Sequence, residues 1–143
     1  MRTYHEALVY SELNPTELVE FKDLFSDGIT YWTGFFLNGK HEGVFEYYIS
    51  TGLAKREIHN SKASCTKHTY FMSDGSISKQ YFRRRAKAHG EYIEFNEDGT
   101  IESHYFKVNS YHVTELDYLI KELRDEAFYF TLALHGIDKE YTL

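Results

Sequence analysis

Eight histidines are the residues of this chain best suited to metal binding or acid/base work, because imidazole titrates near neutral pH and ligates metals. Either role needs the groups to converge. The spacing of His41, His89, His104 and His112 offers no His-x-x-x-His pair for a helix face, and Cys65 has no second cysteine to complete a zinc site. His41 and His89 stand at equivalent positions in two links of the chain, which favours a structural or surface role. His68 lies three residues from Cys65, but no nucleophile motif surrounds the pair, and a lone cysteine reads as a small packed side chain. Glu94, Asp98 and Glu102 read as the polar side and turn of one hairpin rather than a paired acid and base. No Gly-rich phosphate loop is present. The expectation is a non-enzyme with no catalytic residue, metal or cofactor.

Recognition is the other chemistry on offer. The segment RRRAK places Arg83, Arg84, Arg85 and Lys87 together in a chain whose formal net charge is -6. Strand alternation predicts Arg83 and Arg85 on one side and Arg84 on the other. Such a cluster either protects a sheet edge or meets an acidic protein, anionic lipid headgroups or RNA, in that order of expectation. The chain also carries 13 Tyr, 11 Phe and one Trp, more than core filling requires, and Tyr suits half-buried contact surfaces.

These residues must be held by a regular scaffold, and the sequence repeats itself. Gly28, Gly52, Gly75 and Gly99 are separated by 24, 23 and 24 residues, within VEFKDLFSDGITYW, GVFEYYISTGLAKR, TKHTYFMSDGSISK and GEYIEFNEDGTIES. Four places before each glycine stand Leu24, Tyr48, Phe71 and Phe95; seven before stand Phe21, Phe45, His68 and Tyr92. Both columns are expected on one buried side. Seven places after come Phe35, His59, Phe82 and Phe106, a returning strand. Asp27, Thr51, Asp74 and Asp98 precede the glycines, and Asp-Gly between alternating apolar residues signals a hairpin. The links NGKHEG and RAKAHG are alike, whereas the middle link, SKASCT, is one residue shorter and has lost both glycines.

From Tyr31 to Phe106 the pattern NGKxxG, strand, bulky residue, xDG or xTG, strand resembles the MORN repeat, in its bacterial and viral variant found in YwqK-like antitoxins. The middle unit departs at Ala63 and Thr66. Marginally stable hairpins of this kind must bury their aromatics against neighbours, so the expected fold is mainly β with terminal helices (α+β): tandem hairpins over residues 21–107 in an elongated, twisted antiparallel sheet. Residues 1–20 are expected to supply an N-terminal cap, with Asn14, Pro15 and Glu17 starting a short helix. Leu116, Leu119, Ile120, Leu123, Ala127, Phe130 and Leu134 predict a C-terminal capping helix over residues 114–135.

At 143 residues the chain is expected to form a single domain. One cysteine and the lack of a leader pattern point to a reducing cytoplasm, and no apolar run approaches the roughly 20 residues of a membrane span. The acidic balance disfavours nucleic acid. A protein partner is expected instead, contacted through Tyr31, Trp32, Tyr47, Tyr70, Tyr81, Tyr105, Arg83, Arg84 and Arg85, although the aromatics could equally cover a second face against the terminal helices. With the resemblance, this implies a small inhibitor or immunity factor, an antitoxin or phage anti-defence protein. The alternatives are a scaffold that self-assembles through a sheet edge or sits peripherally on a membrane, then a small-ligand binder or enzyme.

Overall fold

A computed structural model describes residues 1–124, and side chains through residue 121. Helix α1 (Tyr4–Leu13) precedes strands β1 (Leu18–Leu24), β2 (Tyr31–Leu37), β3 (Lys40–His41), β4 (Gly43–Ile49), β5 (Gly52–Asn60), β6 (Cys65–Phe71), β7 (Ile77–Arg84), β8 (Lys87–Phe95), β9 (Ile101–Val108) and β10 (Tyr111–Val113), and helix α2 (Glu115–Arg124) follows. All ten strands form one sheet in the order β1-β2-β4-β5-β6-β7-β8-β9-β10, with β3 beside β2. Every pairing is antiparallel. The protein is mainly β with short terminal helices.

The four glycines lie at or beside four hairpin turns, all with positive φ. At three of these turns an aspartate locks the loop: Asp27, Asp74 and Asp98 each accept hydrogen bonds from the backbone N–H and hydroxyl of Thr30, Ser76 and Thr100, respectively. The links Asn38-Gly39, Arg85-Ala86 and Asn109-Ser110 have positive φ at both residues, as two-residue type I′ turns require. Arg85 is thus a turn residue. It does not continue the alternation of Arg83 and Arg84.

Two faces follow from the register. Phe21, Phe45, His68 and Tyr92 share one, here face A; Leu24, Tyr48, Phe71 and Phe95, three places along each strand, belong to face B. A strand alternates with period two, so the two columns cannot share a buried side. Leu24 is exposed and Phe71 and Phe95 are only half-buried. The returning column splits as well. Phe35, Phe82 and Phe106 lie on face B, but Ile49 pairs directly with Gly52 across a tighter turn, which puts His59 on face A.

The deepest packing is at the N-terminal end of face A, where Ala7, Val19, Phe21, Phe36 and Phe45 are buried and α1 covers them. A smaller cluster of Ile58, Ala63 and Cys65 sits under the middle link with Val44 and Phe82. Helix α1 starts at a capping box: Thr3 Oγ1 accepts from the Glu6 N–H at 3.3 Å and Glu6 Oε1 accepts from the Thr3 N–H at 3.2 Å. Asn14 is its C-cap, donating from its backbone N–H to the Tyr10 carbonyl. The expected helix start at Asn14-Pro15 is therefore a helix end, with Glu17 outside the helix; Pro15 has no N–H and cannot extend the ladder. At the other end α2 docks through Tyr118, which is buried against Phe106 and His89, while Leu116, Leu119 and Ile120 are exposed. The remainder of the expected C-terminal helix, residues 125–135, lies outside the described residues.

Candidate functional site: an aromatic row across one sheet face

Cross-strand partners on face A form a continuous row. Phe21 pairs with Gly34, Phe45 with Glu57, Glu57 with His68, His68 with Tyr81, Tyr81 with Tyr92 and Tyr92 with Tyr105. Between its first two pairs the Phe45 ring fills the space above Gly34, where an added Cβ would come within 2.6 Å of it. Beside it runs a second row in which Trp32 pairs with Tyr47, Tyr47 with Lys55, Lys55 with Tyr70 and Tyr70 with Lys79. Phe21 and Phe45 meet edge to face, whereas the rings from His68 to Tyr105 and those of Tyr4, Trp32 and Tyr47 lie nearly parallel to their neighbours. Trp32 is stacked between Tyr4 at 4.8 Å and Tyr47 at 5.3 Å; His68 and Tyr81 are 4.7 Å apart, Tyr81 and Tyr92 6.0 Å, and Tyr92 and Tyr105 4.6 Å. Stacking thus occupies the ring faces; the Tyr70 and Tyr81 hydroxyls lie 3.4 Å apart, and that of Tyr92 donates to Glu94 Oε1 at 2.8 Å.

At the centre Glu57 is only 8% exposed. Lys55 Nζ stands 2.6 Å and His59 Nε2 2.8 Å from its oxygens, and His68 Nδ1 is 3.5 Å away, at ion-pair distance but outside hydrogen-bond geometry. Burial alone would raise the Glu57 carboxyl, but His59, His68 and Lys55 outweigh it and hold the group well below the usual carboxylate range. An ionised carboxylate only accepts, so His59 presents Nε2–H to it. Lys55 loses to burial and gains more from Glu57 and Tyr70, so its ammonium is held above the ordinary lysine range. Burial, reinforced by the Glu57 charge, pushes the Tyr47 hydroxyl up to about 12. Burial with the Tyr70 contact raises Tyr81 to about 12, and burial with the Glu94 hydrogen bond does the same for Tyr92. At Tyr70 burial is outweighed by Tyr81 and Lys55, and the phenol moves down.

Face A therefore unites five of the six expected aromatics, Trp32, Tyr47, Tyr70, Tyr81 and Tyr105, with Arg83. Tyr31 stands apart on face B, stacked 4.7 Å from Tyr48 under Lys22. Arg84 is on face B too, half-buried, and Arg85 is exposed in its turn. Trp32 also packs on the α1 core, so its role is partly structural. Tyr92 completes the row; it had been assigned to the inward column, and that shared column with His68 was the signal for it. The cluster of Glu57, His59 and His68 was missed because it depends on the register of β5 against β6.

Cys65 packs with Ile58 and Ala63, whereas His68, an odd number of residues along β6, faces the other way. His41 is bonded to the Tyr4 hydroxyl at 2.9 Å, and His89 is buried beside Tyr118. Both pack as structural residues. Among the described residues no group of three or more His, Cys, Asp and Glu side chains is placed to hold a metal ion, and no helix is long and apolar enough to cross a membrane. Comparison with protein-family models, curated proteins and solved structures finds no match.

Proposed function

We propose that this chain is a protein-binding module of tandem MORN-like hairpins, acting as a small inhibitor or immunity factor of the antitoxin or phage anti-defence kind, and that face A from β6 to β9 is its contact surface. The supporting observation is the row Tyr70, Tyr81, Tyr92 and Tyr105, half-buried on four adjacent strands and flanked on the same face by Lys55, Lys79, Arg83 and Lys107. Tyrosines held rigid by stacking offer contact area at small entropic cost, and cations on an otherwise acidic protein select an acidic partner surface. Single-stranded nucleic acid is the less suitable occupant, because bases need open ring faces. The inhibitory role rests on the resemblance alone, and a reducing cytoplasm is the compartment proposed for it.

The test is quantitative capture from the native host with Tyr81→Ala, Tyr92→Ala and Tyr105→Ala, against Tyr31→Ala on face B. A stoichiometric protein retained by wild type and Tyr31→Ala, and lost from the face A variants, supports the reading. Equal retention by all, or nucleic acid as the retained species, overturns it. A second reading, self-assembly through a sheet edge, is favoured by β10 pairing β9 only over Phe106, Lys107 and Val108, so that Ile101 to Tyr105, paired with β8 on one side, have no strand on their outer edge among the described residues. Concentration-dependent light scattering separates the two.

A further inference from the structure

The pairing of β7 with β8 is irregular at one place. Between the pairs Tyr81–Tyr92 and Arg83–Ala88, β7 advances two residues and β8 four, and Gly90 takes φ +99° to accommodate the excess. The widened ladder leaves a pocket of about 250 Å³ whose walls include Tyr81, Tyr92, Tyr105, Arg83 and Lys107. Arg83 donates from Nη2 to the Ala86 carbonyl at 2.7 Å, which anchors the guanidinium at the β7–β8 turn and leaves further N–H groups for another acceptor. Lys107 Nζ lies over the Tyr105 ring, 5.5 Å from its centroid. The carboxylate in the lining, Glu91, is bonded to His104 Nε2 at 2.8 Å and is directed to that partner.

We propose that this pocket takes one carboxylate from an acidic segment of the partner protein, held by Arg83 and Lys107, with an apolar neighbour of that carboxylate lying along the tyrosine row. The inference rests on the protein-binding function proposed above. Size supports a side chain over a cofactor: the volume is below the roughly 300–1,000 Å³ of ordinary small-molecule sites. Charge supports an anion, because the lining carries two cations, and its one carboxylate, Glu91, pairs across from Phe106 on face B and is bonded to His104 there. Geometry supports a carboxylate in particular, since the planar guanidinium matches its two oxygens.

The test is an amide NMR titration of the full chain with three dipeptides: acetyl-Phe-Glu-amide, acetyl-Phe-Gln-amide, and acetyl-Phe-Ala with a free terminal carboxylate. Saturable shifts centred on Gly90 and Ser110 are expected with a carboxylate peptide, and about tenfold weaker binding with the Gln peptide. Whether Glu or the free terminus binds tighter identifies the source of the carboxylate. Arg83→Gln is expected to weaken the tighter peptide about tenfold and Lys107→Gln by less, with Tyr31→Ala unchanged. Lys107→Gln and the loss of affinity with added salt serve as readouts if Arg83→Gln does not fold. Binding of the Gln peptide as tight as that of both carboxylate peptides, shifts centred elsewhere, or no saturable binding overturns the pocket assignment. That failure is distinct from failure of the face A reading, which is judged by capture with the tyrosine variants.

Discussion

Replacing Glu57 by Gln removes a buried charge at nearly constant volume. The carboxylate accepts from Lys55 at 2.6 Å and His59 at 2.8 Å, and charge-assisted bonds contribute about 1.5–3 kcal/mol each. The Lys55 side chain is 24% exposed, so solvent screening puts its share at the low end. The amide keeps one acceptor but turns donors toward Lys55 or His59, giving an expected loss of about 2–4 kcal/mol in urea unfolding at pH 7. The pH dependence follows from the lowered Glu57 pKa. In the unfolded chain this carboxyl protonates near 4.5, whereas in the folded protein it stays ionised well below that. The stabilisation is therefore fully present above about pH 5 and declines as pH falls further, because the unfolded state then binds a proton that the folded state does not. Gln cannot titrate, so the stability difference between the two proteins must shrink on acidification. A difference below about 1 kcal/mol at pH 7, or one that stays constant down to pH 3, would refute the argument that Glu57 is an ionised hub of face A.

Gly34→Ala places a Cβ 2.6 Å from the Phe45 ring and 2.8 Å from Phe21, both fully buried, and should destabilise by about 1–3 kcal/mol. Unchanged chemical denaturation would mean those rings can move aside. Phe45→Ala should lose about 3–5 kcal/mol, but Phe71→Ala and Phe95→Ala, at half-buried positions, only about 1–2 kcal/mol; equal losses in urea would return Phe71 and Phe95 to the core. Thr3→Ala removes the α1 capping box and should reduce stability by about 0.5–2 kcal/mol, and an unaltered unfolding midpoint would contradict the cap.

The turns were legible in the sequence because Asp-Gly carries its own mechanism: the aspartate hydrogen-bonds onward and the glycine supplies positive φ. The alternating strands on either side were legible for the same local reason. Assignment of faces failed where columns three apart were grouped, since a strand changes side at every residue. Helix α1 was hidden because its fully buried positions are Ala7 and Ser11, a small and a polar residue that make no apolar stripe. Its capping residues, Thr3 and Glu6, were the available signal, and Asn14-Pro15 has the same residue types at a helix end as at a start. Most of the tyrosine row was recognisable as surplus aromatics. Its alignment required the pairings from β6 to β9, and the gathering of Lys55, His59 and His68 around Glu57 required the register of β5 with β6.

Along the main path of the sheet every strand is hydrogen-bonded to the next long strand of the chain, so its order in space is its order in time on the ribosome. Each addition closes only a short loop, and the most deeply packed segment, α1 with β1, β2 and β4, emerges first. A nascent chain can thus complete its firmest end before strands β6 to β9, which carry Tyr70, Tyr81, Tyr92 and Tyr105, exist. Those strands then extend an edge already in place, and the proposed contact surface is finished after the core.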